Sequence, residues 1–290
     1  MSVIINPNLN NYYIVIGGDA APVSLKSIKF LNPYDFSLKV GEIKDLELVI
    51  DPPEAINYID INDIKWVSSN ESVLTVDSTG IVTAKSEGTA KIAAKYRRHI
   101  ASVTCKVINP IKFADPKTKK LCLKLWDKNG DGEISYSEAE KVTFIPQIFA
   151  NSKITSFNEL QYFKNVKNIS PSAFEGCSYL SSITLPKNIE TIGKHAFYDC
   201  DSLTQIVLPA SLNNIGFESF ANCENLTYVV SNSKTPPIGS HMFGDDDPKL
   251  YSIKVPSNSR DIYCSHPSWE EYRSYINNVG FDYTFDFYLG

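Results

Sequence analysis

The sequence has few cysteines, no long apolar run and no excess of positive charge. Six cysteines in 290 residues are too few for a disulfide scaffold, and no C-x-x-C pair indicates a zinc ribbon or a redox site. No stretch approaches the ~20 apolar residues that span a bilayer, so no transmembrane segment is predicted. The formal net charge of −5 argues against a nucleic-acid partner or an acidic membrane, because both require a cationic surface.

Local catalytic motifs are also absent. The sequence contains no G-x-S-x-G, H-E-x-x-H, Walker or G-x-G-x-x-G pattern, and its four histidines are scattered. We therefore predict no catalytic residues and no enzyme. A hydrolase with a site between domains is the least favoured alternative.

A secretory signal is not evident either. No apolar segment follows the first lysine, Lys26, as such a signal requires. We expect the signal to be absent from this sequence, which leaves a trimmed secreted protein and a cytosolic protein both open.

Residues 24–110 alternate between apolar and polar positions, as in Leu46, Leu48 and Ile50. A period of two predicts strands with one buried face, and Gly and Pro turn signals between them predict an antiparallel β-sandwich. Four segments resemble the bacterial Ig-like group 2 domains of intimin-type surface proteins: Val40–Glu42, Trp66–Asn70, Val76–Ala84 and Glu87–Ala90. The resemblance implies a stalk or spacer. Trp66 is predicted to be a core anchor.

Residues 111–168 switch to helical spacing. Asp115 and Pro116 have the pattern of an N-cap and a first helical residue, and a loop follows from Asp127 to Glu138. The loop fits the EF-hand pattern, with side-chain oxygens at positions one, three and five, Gly at six and Glu at twelve. A polar turn that binds no metal is the alternative. The sequence predicts a structural Ca²⁺ ion held by Asp127, Asn129, Asp131, the Glu133 carbonyl, Ser135 and Glu138.

Residues 169–290 repeat with a period of 23. This period predicts a leucine-rich-repeat solenoid of about four coils, followed by a C-terminal cap. Cys177, Cys200 and Cys223 share the period and are predicted to lie in the core. The repeat is seen in Ile169, Ile192, Ile215 and Ile238, and in Phe174, Phe197, Phe220 and Phe243.

The coil from Ile192 to Pro209 has the pattern I-G-x-x-A-F-x-x-C-x-x-L-x-x-I-x-L-P and resembles the BspA-like class of leucine-rich repeats. Residues 154–163 resemble the cap that precedes such repeats. The resemblance implies a secreted or outer-surface location and partners on a host matrix or cell surface. Ser231 at an apolar position and the acidic run Asp245–Asp247 predict an irregular end; that run is also a minor candidate for a second Ca²⁺ site.

The predicted fold class is multidomain and mainly β. It comprises an extension over residues 1–23, the Ig-like β-sandwich at 24–110, the EF-hand-like segment and solenoid cap at 111–168, and the solenoid at 169–290. We expect a monomer that binds an extracellular protein or glycan. A structural or assembly component of the bacterial envelope, or of a glycan-utilisation system, is the alternative. Positions alternating with the buried strand residues form the predicted binding face: Ser182, Thr184, Gln205, Val207, Tyr228, Val230, Ser252 and Lys254.

Overall fold

A computed structural model describes residues 3–5, 24–244 and 250–278. The chain divides into two compact units, residues 1–110 and residues 111–290. The described residues are mainly β-structure, with three α-helices among them. Two regions named above lie wholly or largely outside the described residues: the extension over 1–23 and the acidic run at 245–247. The end of the predicted C-terminal cap, residues 279–290, also lies outside them.

The described part of the first unit contains ten strands and two 3₁₀-helices, Pro53–Tyr58 and Ile61–Asp63. The strands are β1 (Val3–Ile5), β2 (Ser27–Phe30), β3 (Phe36–Lys39), β4 (Ile43–Asp45), β5 (Leu48–Asp51), β6 (Lys65–Ser68), β7 (Leu74–Val76), β8 (Ile81–Ala84), β9 (Gly88–Tyr96) and β10 (His99–Ile108). They form sheets in the orders β1-β5-β2, β3-β10-β9-β6 and β4-β8-β7.

Alternation along each strand decides which side chains this unit buries. In β9, Ala90, Ile92 and Ala94 are at most 1% exposed, whereas Lys91 and Lys95 between them are exposed. The inward residues of the sheets share one hydrophobic core. The strands with one buried face that the period of two predicts are therefore observed.

Two details of this unit differ from the sequence-based prediction. Trp66 packs against the core with its ring 5.9 Å from that of Phe30, but it is only half-buried. In addition, β3 pairs with β10 in parallel, while the remaining pairs of this unit are antiparallel. An alternating pattern reports a buried face and carries no information about the direction of the neighbouring strand.

The second unit begins with two helices and continues as short strands. The helices are α1 (Pro116–Trp126), α2 (Tyr136–Ala139) and α3 (Arg260–Ser265), with 3₁₀-helices at Gln147–Phe149, Asn158–Tyr162 and Glu270–Tyr272. The strands are β11 (Phe144–Ile145), β12 (Ser156–Phe157), β13 (Asn168–Ile169), β14 (Ser182–Ile183), β15 (Thr191–Ile192), β16 (Gln205–Leu208), β17 (Asn214–Ile215), β18 (Tyr228–Ser231), β19 (Ser252–Val255) and β20 (Ile276–Asn278).

Parallel ladders join equivalent positions of successive repeats. Ile169 pairs with Ile192, and Ile192 pairs with Ile215, so the period of the sequence is the spacing of the ladder. The sheets run β11-β13-β15-β17, β12-β14 and β16-β18-β19-β20. The first rungs precede residue 169, because Ile145 pairs with Ile169 and Phe157 pairs with Ile183.

A stack of phenylalanine rings fills the centre of the repeat region. The rings of Phe174 and Phe197 have centroids 5.1 Å apart and are inclined by 7°; those of Phe197 and Phe220 are 5.1 Å apart and inclined by 2°. Phe149 and Phe243 extend the stack at 5.2 Å and 5.6 Å. These separations lie in the favourable range for aromatic pairs, so each coil contributes one ring to a continuous core.

Three cysteines form a second column in the same core. Cys177, Cys200 and Cys223 are at most 8% exposed, which confirms the predicted inward position. Each thiol donates a hydrogen bond to a phenylalanine carbonyl of the preceding coil, at S···O distances of 3.0, 3.3 and 3.0 Å. A small side chain with one weak donor therefore satisfies a backbone acceptor within the stack.

Ser231 does not mark the end of the ladder. Its hydroxyl is buried and lies 2.7 Å from the Tyr263 hydroxyl, which in turn donates to the Ser233 carbonyl at 2.9 Å. The parallel sheet continues through β19, in the fourth predicted coil, to one further strand, β20. A helix further along the chain, α3, supplies the hydrogen-bonding partner of Ser231.

Candidate functional site

Most of the predicted binding face lies on one sheet, β16-β18-β19-β20. In its register Gln205 is opposite Tyr228, and Val207 is opposite Val230. Lys254 of β19 follows Val230 in the same row. Val207 and Tyr228 are 46% and 42% exposed, and Gln205 and Lys254 are exposed as well. The structure therefore brings these five residues together on a solvent-facing surface.

Ser182 and Thr184 lie at the preceding coil, where β14 pairs only with β12 among the described strands. The amide of Asn158 holds both side chains: its nitrogen donates to Ser182 Oγ at 3.1 Å, and its oxygen accepts from Thr184 Oγ1 at 3.2 Å. These two residues therefore form a polar margin that is fixed by a neighbouring coil.

Ser252 differs from the prediction, because it is buried and not part of the exposed face. It is 7% exposed, and the Asn277 amide of β20 donates to its hydroxyl oxygen at 3.2 Å. The strand that covers it, β20, comes from the chain beyond the visible repeats. The alternation in β19 gave no indication of this neighbour.

Tyr251 is the residue of this face that the sequence analysis missed. It is 74% exposed, and its ring centroid lies 5.6 Å from that of Tyr228. The strand register pairs Tyr228 with Ser252, so Tyr251 lies one residue before the equivalent position and the repeat pattern gave no signal for it. The two rings form an exposed pair, which we call the tyrosine pair.

The candidate calcium loop connects α1 to α2. Gly132, at loop position six, has a φ of +78°, which favours glycine, and Ile134 at position eight is completely buried. The Asp127 carboxylate accepts hydrogen bonds from the Gly130 and Gly132 amides at 2.7 and 3.0 Å. The loop is thus closed around the side chain at position one.

Glu138, at position twelve, reaches back across the loop. Its carboxylate accepts from Asn129 Nδ2 at 2.9 Å, from the Lys128 amide at 3.1 Å and from the Ser135 amide at 3.0 Å. Ser135 and Glu138 also form a capping box at the start of α2. Positions three, nine and twelve are therefore in contact through hydrogen bonds.

The remaining loop carboxylates have other partners. Glu133 Oε2 lies 2.6 Å from Lys119 Nζ. This ion pair uses the side chain and not the backbone carbonyl, which is the predicted Ca²⁺ ligand. Asp131 Oδ1 accepts a hydrogen bond from the Glu133 amide at 3.0 Å. Across residues 3–5, 24–244 and 250–278, no three His, Cys, Asp or Glu side chains are grouped so that they could hold a metal ion. The loop conformation therefore relies on N–H donors where an ion would supply positive charge.

Two histidines lie on the turn side of the repeats and have acidic neighbours. His195 Nε2 is 3.0 Å from Glu218 Oε2, and His241 Nδ1 is 3.5 Å from Glu271 Oε2. Both histidines have positive φ angles, 55° and 47°, at equivalent positions two repeats apart. They connect neighbouring elements of the repeat region and do not converge on a nucleophile.

A polar surface cavity of about 550 Å³ opens over the repeat region. Burial and the nearby carboxylates of Glu224 and Asp199 raise the pKa of Asp201 in its lining. Like charges in one cavity disfavour an anionic ligand there. The lining comprises Gly176, Ser178, Asp199, Asp201, Asn222 and Glu224.

A comparison with protein-family models finds one match in each of the two units. Residues 143–266 match the BspA type leucine rich repeat region in six copies, and residues 29–107 match the bacterial Ig-like domain of group 2. The chain contains a BspA-type leucine-rich-repeat region and a bacterial Ig-like domain. A comparison with curated proteins finds no match. Within the part of the chain that the structure describes, no helix is long and apolar enough to cross a membrane.

Two solved structures share limited similarity with this chain. One is a leucine rich cell surface protein from Faecalibacterium prausnitzii, 21% identical over 41% of this chain and 43% of its own, with a TM-score of 0.24. The other is a bacterial Ig-like domain containing GH10 xylanase from termite gut, 11% identical over 77% of this chain and 50% of its own, with a TM-score of 0.20. The chain thus spans half or less of either protein.

Proposed function

We propose that this chain is a secreted or cell-surface binding protein without catalytic activity. In this proposal the Ig-like domain acts as a stalk, and the repeat region, a solenoid, recognises an extracellular protein or glycan. The observation that carries the proposal is the tyrosine pair, Tyr228 and Tyr251, which is exposed on the sheet of successive coils. Matches to a repeat family and an Ig-like family, rather than to an enzyme family, support the absence of catalysis.

The framework beneath the tyrosine pair favours binding because it is already ordered. Tyr228 and Val230 belong to a strand hydrogen-bonded on both sides, and Val229 between them is completely buried. A rigid platform loses little conformational entropy when a ligand arrives. The face therefore needs only a small set of anchors to give useful affinity.

The chemistry of the face suits an amphipathic ligand. Two tyrosine rings and Val207 offer apolar area, while the Gln205 amide and the Lys254 ammonium group offer hydrogen bonds. Tyrosine is enriched at binding hot spots because its ring packs against apolar groups and its hydroxyl forms hydrogen bonds. A glycan or an exposed protein loop presents both kinds of group.

The test is a binding screen of the full chain against a glycan array and a panel of matrix proteins, followed by titration of any hit. Tyr228→Ala should weaken the hit about tenfold or more, as expected for a hot-spot residue. Tyr179→Ala is the matched control, since Tyr179 is 56% exposed in the same repeat region but outside the face. Equal loss in both variants, or no loss in Tyr228→Ala, would remove the face from the proposal.

If no glycan or matrix protein binds in the screen, the alternative role as an assembly component of the envelope is favoured. That role predicts a bacterial partner that co-purifies with the full chain from envelope extracts.

We also propose that the loop from Asp127 to Glu138 binds a structural Ca²⁺ ion. The support is its register: Asp127, Asn129 and Asp131 offer oxygens at alternate positions, and Glu138 already contacts Asn129. In the arrangement described above these oxygens accept N–H bonds, so the side chains must exchange those donors for the ion. The Ser135 side chain and the Glu133 carbonyl would complete the ligand set.

Calorimetric titration of chelator-treated full chain with CaCl₂ tests this proposal. We expect one site with a dissociation constant on the order of 10⁻⁴ to 10⁻³ M. Glu138→Gln, which keeps the size of the side chain, should weaken binding at least about tenfold. Glu140→Gln, just beyond the loop, should leave it unchanged. A titration without heat of binding, confirmed by unchanged intrinsic fluorescence, would show that the loop is a metal-free turn.

A further inference from the structure

The outward face of the sheet β3-β10-β9-β6 carries a concentration of positive charge. Residues 24–110 contain eleven Lys or Arg and eleven Asp or Glu, yet none of the acidic residues lies in these four strands. Alternate residues of β3, β9 and β10 are buried in the core, and Trp66 of β6 packs against it; the lysines of all four strands fall on the other side. The charges are therefore separated, although they sum to zero. The lysines of this basic face are Lys39, Lys65, Lys91, Lys95 and Lys106.

The strand register places two of these lysines directly opposite each other, with a third on the same side of the sheet. Lys65 of β6 is directly opposite Lys95 of β9. Lys91 lies on the same side of β9, four residues nearer its start, which corresponds to about 13 Å along the strand. At the hairpin between β9 and β10, Arg97 and Arg98 are exposed and extend the cationic region.

The pair of Lys65 and Lys95 is unfavourable by itself. Like charges directly opposite each other in a sheet are destabilising. Among the residues that the structure describes, neither these two nor Lys91 forms an ion pair. Asp35 lies near the sheet, but its carboxylate accepts a hydrogen bond from the Thr104 amide, with an N···O distance of 2.8 Å. An anionic ligand laid across the pair would remove the repulsion.

We propose that this basic face binds an acidic polysaccharide. The cations are spread along the strands of a sheet and not gathered in a pocket, which fits a linear polymer with repeated negative groups better than a small anion. The side chains between them, such as Ala93 and Ser102, are small and allow a chain to lie flat. Charge complementarity is the argument for this occupant.

Two other polyanions fit the face less well. The outward positions of the four strands hold no aromatic side chain on which the bases of single-stranded nucleic acid could stack. Ile100 and Val67, 59% and 41% exposed, are the large apolar residues that project from the face. That area is too small to anchor the sheet in a bilayer.

Polygalacturonate, a carboxylated polysaccharide, is the probe for the full chain, and neutral dextran is the control ligand. Lys65→Gln/Lys91→Gln/Lys95→Gln should weaken binding at least about tenfold and reduce the steepness of its salt dependence. Lys26→Gln/Lys29→Gln/Lys85→Gln removes the same charge from exposed positions outside the face and should stay within about twofold. Lys65→Arg/Lys91→Arg/Lys95→Arg keeps the charge and should keep binding.

The proposal would be overturned if the unaltered chain did not bind polygalacturonate or bound dextran equally well. It would also be overturned if the two glutamine variants lost equal affinity, or if the arginine variant lost as much affinity as the glutamine variant of the basic face. Tighter binding of duplex DNA or of phosphatidylglycerol vesicles would also overturn it, in favour of that partner. The basic face and the tyrosine pair lie in different units. Tyr228→Ala should leave polygalacturonate binding unchanged, so this proposal and the proposed function fail separately.

Discussion

The two units of this chain build their cores in opposite ways. In the Ig-like domain, strands far apart in sequence meet, and side chains of different kinds pack together; Trp66 and Phe30 are an example. In the repeat region each core residue meets its own equivalent in the next coil, as Phe174 meets Phe197. A repeated contact appears in the sequence as a period, whereas a non-local contact leaves no such trace.

The sharpest test of this comparison is the removal of one ring from the phenylalanine stack. Phe197 is completely buried and contacts rings on both sides, so Phe197→Ala should lower the free energy of unfolding by about 3–5 kcal/mol. Phe217→Ala is the control, since Phe217 is 38% exposed, and should lose less than about 1 kcal/mol. Denaturant unfolding in a Trp66→Phe background, where Trp126 and Trp269 report on this unit, measures the difference. A small loss for Phe197→Ala would show that neighbouring coils collapse to fill the space.

The next largest effect is expected at alkaline pH, which should destabilise the second unit more than the first. Burial raises the pKa of Cys122 and Cys177, and the neighbouring Cys223 thiol, together with burial, raises that of Cys200. These thiols stay protonated in the folded repeat region, whereas in the unfolded chain they ionise at about pH 8.5. Their contribution to stability is therefore complete below that pH and falls above it, by about 1.4 kcal/mol for each thiol and pH unit.

The measurement is denaturant unfolding at pH 7.5 and at pH 9.5, with the first unit followed by its one tryptophan, Trp66, and the second unit by Trp126 and Trp269. The Ig-like domain is the internal control. Its described residues contain one cysteine, Cys105, whose pKa burial raises to about 11. Equal loss of stability in the two units would contradict the assignment to the thiols of the repeat region.

The smallest expected effect concerns the place where the repeat pattern departs from its consensus. Tyr263→Phe removes the hydroxyl that lies beside Ser231 and donates to the Ser233 carbonyl, and leaves buried polar atoms without a partner. The free energy of unfolding should fall by about 1–3 kcal/mol. Tyr179→Phe, at an exposed position, should change it by less than about 0.5 kcal/mol. Combining Tyr263→Phe with Ser231→Val should restore part of the loss; if the double variant is no better, the hydroxyl pair is not the cause.

Periodicity was sufficient to predict much of the repeat region. The phenylalanine column, the cysteine column and the exposed positions Gln205 and Tyr228 all follow from the repeat period. It could not predict that Ser252 is covered, because the covering strand comes from outside the visible repeats. For the loop from Asp127 to Glu138, the spacing of the oxygen-bearing residues could be read from the sequence, while Ca²⁺ binding stays a prediction.

The sequence by itself determined which residues face inward, since burial of apolar side chains imposes a period of two in the Ig-like domain and the longer repeat period in the second unit. Only the tertiary structure decided which outward residues become neighbours. Net charge and composition gave no indication of the basic face, because strand pairing brings Lys65 beside Lys95 from distant positions in the chain. Outward positions are free of the packing constraint that ties sequence to structure, so their arrangement depends on the pairing of whole strands.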